Sequence, residues 1–156
     1  MRRKDREITD REKINEVICS CHCCRLGFTD DGSVYIVPLS FGYEDVNGKR
    51  TFYFHSAKEG RKIDLINKTH RAAFELDTGY KLNEAETPCS FSARFQSVTG
   101  SGKVDFIEEA GAKKHALASV MRHLTGKTDW DFPKDKLDAV AVFKLEAEEL
   151  SCKEHM

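Results

Sequence analysis

Between Phe52 and Lys62 the chain reads Phe-Tyr-Phe-His-Ser-Ala-Lys-Glu-Gly-Arg-Lys, and this stretch gathers most of the groups that could do chemistry. Phe52, Tyr53 and Phe54 suit a pleated, half-buried strand. Ser56 and Glu59 have the S-x-x-E spacing of a capping box, which predicts a helix from about Ala57. The first turn of a helix leaves backbone N–H groups without partners, and its dipole is positive there. With Arg61 and Lys62 one turn on, and His55 and Ser56 at the strand end, the junction is equipped to hold a phosphate. His55 would donate to that phosphate or act as an acid or base near neutral pH. The plainer reading is a capped helix carrying solvated basic residues; density favours the anion site.

Other groups have weaker claims. Cys19, Cys21, Cys23 and Cys24 surround His22, and soft thiolates beside an imidazole could bind zinc or copper. The spacing lacks paired C-x2-C motifs, and Cys89 and Cys152 stand apart, so the cysteines read as small buried hydrophobes and no metal site is assigned. His115 and His123 lie eight residues apart on a predicted helix and read as a solvated flank. Trp130 reads as a lid on the core or a subunit contact, with ligand stacking the alternative.

These groups need elements to position them. Thr9 and Glu12 predict a capping box opening a helix through about Ser20, with Ile14, Val17 and Ile18 facing the core. Strands are expected over Cys24–Thr29 and Val34–Glu44, with Asp30-Asp31-Gly32-Ser33 the turn between them. Asn47-Gly48 suits a type I′ hairpin into the Phe52 strand. That register sets Tyr43 opposite Phe52, Phe41 opposite Phe54 and Ser40 opposite His55. Pro38 marks an edge or a bulge where a flat ligand could reach the backbone. A short helix ending near Lys68 and a strand carrying Ala72, Phe74 and Leu76 follow. A long β segment, 90–106, is bent at Gly100 and Gly102. A helix runs over Glu108–Leu124 with Leu117, Val120, Met121 and Leu124 as its apolar face, and a buried strand over Ala139–Leu145 comes last. The pattern is mainly β with flanking helices, an antiparallel barrel in one domain spanning 1–156.

The bulk numbers fit. The chain has 156 residues, 40% hydrophobic and 33% charged, with a net charge of −1, so no basic field invites nucleic acid. No apolar run approaches the roughly 18 to 20 residues that span a bilayer. The charged N-terminus has no apolar h-region, so a cytoplasmic protein with reduced thiols and no membrane partner is expected.

Together, Arg25-Leu26-Gly27-Phe28, Tyr35 to Glu44, Phe52 to Ala57 and Gly60-Arg61-Lys62 resemble the pyridoxamine 5′-phosphate oxidase-like flavin-binding split barrels, and most nearly their nitroimidazole-resistance-type branch. The likeness continues through Phe95-Gln96-Ser97-Val98, Gly102-Lys103-Val104, Lys114 to Leu117 and Met121-Arg122-His123. The resemblance implies a split β-barrel homodimer with FMN in two clefts between the chains, FAD being the alternative. It implies that Pro38, Leu39 and Ser40 line the isoalloxazine, that His55, Ser56, Arg61 and Lys62 hold the phosphate, and that Ser97 reaches the flavin of the other subunit. It also matches His55 to the histidine implicated in that branch's chemistry. No counterpart of the oxidases' C-terminal Arg- and Trp-rich segment follows Leu145, which argues against a vitamin B6 substrate. The implied activity is an oxidoreductase of nitroreductase type acting on a small organic molecule. The alternatives are a non-catalytic flavin or haem sensor on the same barrel and, more remotely, a thiol or metal protein built on Cys19–Cys24. With no G-x-G-x-x-G motif, a reduced nicotinamide donor would dock transiently.

Overall fold

The computed structural model describes residues 3–156. Strand β1 (Glu7–Ile8) leads into helix α1 (Arg11–Ser20), capped by Asp10, whose carboxylate accepts the Lys13 N–H at 2.8 Å. The cap is thus Asp10 and not Thr9, one residue along from the expected box. Ile14, Val17 and Ile18 are buried as their spacing predicts. Strands β2 (Cys24–Asp30), β3 (Ser33–Leu39), β4 (Gly42–Val46) and β5 (Lys49–Ser56) follow. Then come α2 (Arg61–Thr69), β6 (Arg71–Asn83), β7 (Ser92–Phe106), α3 (Ala110–Thr125), α4 (Lys134–Ala139) and β8 (Ala141–His155).

The strands form one antiparallel sheet in the order β3-β2-β6-β7-β8-β5-β4, with β1 on β8. Tyr43 pairs with Phe52 and Val46 with Lys49, and Asn47 and Gly48 both have positive φ (51° and 85°), as a type I′ turn requires. The register expected beyond Gly42 fails. The single strand 34–44 is two strands: β3 pairs with β2, β4 with β5, and Ser40-Phe41 is the step between them. Phe41 is drawn inward there, 5.9 Å from the Phe52 ring and 4.2 Å from His123. So neither Phe41–Phe54 nor Ser40–His55 is a ladder pair; Phe54 and His55 pair instead with Phe143 and Val142 of β8. Pro38 lies on β3, at the edge of the sheet, where its missing donor costs no ladder bond.

Two further expectations change, and one holds. β8 has 15 residues and continues to His155, so the segment after Leu145 is sheet and not a tail. Its charged residues disguised it. The ladder of β7 on β8 shifts register between Ser101 and Gly102, where a bend was expected. On α3 the buried face is Lys113, Ala116, Ser119 and Val120, while Leu124 is 48% exposed. The helix is rotated because the Gly42 backbone sits against it. A Cβ on Gly42 would lie 2.6 Å from the Val120 nitrogen and 2.7 Å from the Ser119 carbonyl carbon. Phe28, Phe41, Phe52, Phe54 and Phe143 are the largest side chains sealed in the core.

Candidate functional site at the start of α2

Strand β5 delivers His55 and Ser56 to one end of the sheet, and the chain bends through Lys58–Gly60 before α2 begins. The expected capping box does not form. Ser56 Oγ donates to the Ala57 carbonyl at 2.9 Å, and the helix starts at Arg61, four residues later than Ser56–Glu59 implied. Gly60 takes the N-cap position at φ 121°, ψ 169°, a conformation suited to glycine. No side chain caps this helix, and the space where a Gly60 Cβ would project is open. The consequence is an uncapped N-terminus with its partial positive charge facing outward.

The two cations differ. The Arg61 guanidinium grips one Asp30 carboxylate oxygen (2.9 and 2.7 Å) and lies 4.8 Å over the Tyr35 ring. It is already committed to the β2–β3 hairpin. Lys62 makes no ion pair among the described residues, and burial pulls its pKa down. His55 is held below its ordinary value, first by burial and then by the Lys62 charge, so its ring is neutral at pH 7. An anion placed here would find a free ammonium, an imidazole and an open helix end.

Pro38 and Leu39 close β3, and Ser40 opens the step to β4. Leu39 packs against the core, so only its backbone is available to a ligand, while Pro38 and Ser40 are exposed. Ser97 is not brought to this corner by its own chain. It pairs with Lys153, whereas His55 pairs with Val142, at the other end of β8. Eleven residues of extended strand span about 35 Å.

Behind His55 lies a cavity of about 220 Å³, with Leu117, Val120 and Met121 of α3 on one side and Leu137 and Val140 on the other. Reading the sequence missed it: Leu117, Val120 and Met121 read only as the apolar face of a helix, and that face lines this space. It also missed Lys113, a buried lysine whose Nζ donates to the carbonyls of Leu137 (2.7 Å) and Val140 (3.1 Å), tying α4 to α3. The histidines of α3 are not simply solvated. His115 meets Glu44 at 2.8 Å, and His123 bonds the Cys21 carbonyl at 2.8 Å.

All six cysteines are free. Burial pushes the Cys21 thiol up to about 12 and Cys152 to about 11, and holds Cys24 well above its usual range, so these are protonated thiols. Among the described residues no group of three or more His, Cys, Asp or Glu is arranged to hold a metal. No helix there is long and apolar enough to cross a membrane.

A mostly antiparallel sheet with few helices defines a split barrel of the flavin-binding class. The model of the pyridoxamine 5′-phosphate oxidase family matches residues 10–154, so the chain belongs to that family. Among solved structures it is similar to a candidate 5-nitroimidazole antibiotic resistance protein of Bacteroides thetaiotaomicron, at 34% identity, 95% of this chain, 86% of that one and a TM-score of 0.82. It shares its fold with the flavocytochrome Anf3 of Azotobacter vinelandii (20%, 100% and 72% covered, TM-score 0.83). The same holds for an FAD- and haem-binding protein of Mycobacterium smegmatis (18%, 96% and 73%, TM-score 0.80). Comparison with curated protein sequences gave no match.

Proposed function

We propose that the protein is a homodimeric flavin-dependent oxidoreductase, with FMN its cofactor and FAD the alternative. The observation that carries this is the uncapped start of α2 beside an unpaired Lys62. The Arg61 and Lys62 N–H groups, the Lys62 ammonium, Ser56 Oγ and the His55 ring would take the phosphate, with Arg61 joining only if it leaves Asp30. Pro38, Leu39 and Ser40 would support the ring system through backbone and small side chains, and Ser97 of the partner subunit would close the cleft. A bound flavin supplies hydride transfer. The chain's part is to fix the phosphate, shield the ring and, through His55, hold a proton for a small organic acceptor such as a nitro compound. Cytoplasmic residence and a single domain over 1–156 belong to the same reading.

A non-catalytic flavin or haem carrier is the second reading. What favours it is that His55 is the one acid–base side chain among the groups assigned here. Steady-state oxidation of NADH or NADPH with a nitroaromatic acceptor separates the two. The enzyme reading expects flavin-dependent turnover. Bound flavin that neither nucleotide reduces would leave the carrier.

A further inference from the structure

The cavity behind His55 is walled by aliphatic side chains of α3 and α4, and Phe132 completes the apolar lining. Two polar groups reach it, His55 and Lys136. No carboxylate lines it. The nearest acid to Lys136 is Asp135, 3.8 Å from its ammonium, and both side chains are largely exposed, so that pair is weak. The α4 wall is not loose, since Lys113 fastens the carbonyls of Leu137 and Val140.

We propose that this cavity is a binding site for a small monocyclic aromatic carboxylate. The ring would lie among Leu117, Met121, Phe132 and Leu137, and the carboxylate would meet the Lys136 ammonium. Size supports it. An enclosed apolar space of about 150 Å³ holds benzene, and the 220 Å³ here leaves room for one short substituent. Charge supports it too: no carboxylate lines the space, and the Lys136 ammonium supplies its fixed positive charge. Taking the ring out of water supplies the drive, and the charged hydrogen bonds select the acid over a neutral ring. The assignment goes beyond the flavin reading and does not depend on it.

Calorimetric titration of the full chain with benzoate tests this, alongside emission from Trp130, the chain's one tryptophan, two residues from Phe132. One saturable site is expected, with a Kd on the order of 1 mM. Benzyl alcohol should bind about tenfold more weakly, and Lys136→Met should erase that difference. Leu117→Phe should fill the space and abolish both, with thermal melting checking that it folds; Lys136→Met, at an exposed position, serves if it does not. Adding FMN should leave the benzoate affinity within about twofold. The proposal is overturned by no saturable binding, by equal affinity for acid and alcohol, by benzoate binding that Leu117→Phe leaves intact, or by mutual displacement of benzoate and FMN. A colourless protein that binds benzoate would sink the flavin reading and leave this one standing.

Discussion

Lys62 and Arg61 are neighbours of like charge with different duties. Arg61 is bonded twice to Asp30 and stacked on Tyr35, while Lys62 is uncompensated and partly desolvated. A free cation gains more from an arriving phosphate than one that must first leave a carboxylate. Lys62→Ala should therefore weaken FMN binding by about tenfold or more, roughly 1.4 kcal/mol. Arg61→Ala should cost no more than about threefold. Fluorescence titration of FMN against both variants at low salt measures this, and the reverse order would contradict the assignment. Residue types at this corner were legible in the sequence. Which cation was free was not, because Asp30 lies 31 positions away and meets Arg61 only in the folded sheet.

At the scale of elements, Gly42 and Lys113 decide how α3 and α4 sit. The Gly42 backbone touches the Ser119–Val120 backbone so closely that a methyl group has no room. Gly42→Ala should destabilise the protein by about 1–3 kcal/mol through overpacking, read as a lower urea midpoint. An unchanged midpoint would mean that α3 moves freely on the sheet. Local signals read well where chemistry is local: Asn47-Gly48 fixed its hairpin because both residues tolerate positive φ. They failed where packing decides. The Ser56–Glu59 spacing promised a cap at Ser56, but the cap falls four residues on, at Gly60. Reading 34–44 as one strand concealed the step at Ser40-Phe41, which exists because Phe41 packs against Phe52 and His123. The last nine residues of β8 are mostly charged or small, so nothing short of pairing with β7 marks them as strand.

For the whole molecule, the order of strands keeps two of the proposed flavin contacts far apart in one chain. His55 and Ser97 sit against opposite ends of β8, so a cleft needing both has to be built from two chains. Apolar side chains are left outside for such a contact: Val34 and Ile36 on the edge strand β3, and Tyr80 and Leu82 on the β6–β7 hairpin are all exposed. In the proposed homodimer, dimerisation and flavin binding would be one event, and occupancy should fall when the dimer is diluted apart. The most direct measurement is a crystal structure grown in excess FMN. The account predicts the phosphate on the N–H groups of Arg61 and Lys62, the Lys62 ammonium beside it, and Ser97 of the partner subunit facing the ring. A flavin bound elsewhere with that helix start empty, or one held fully by a single chain, would contradict it.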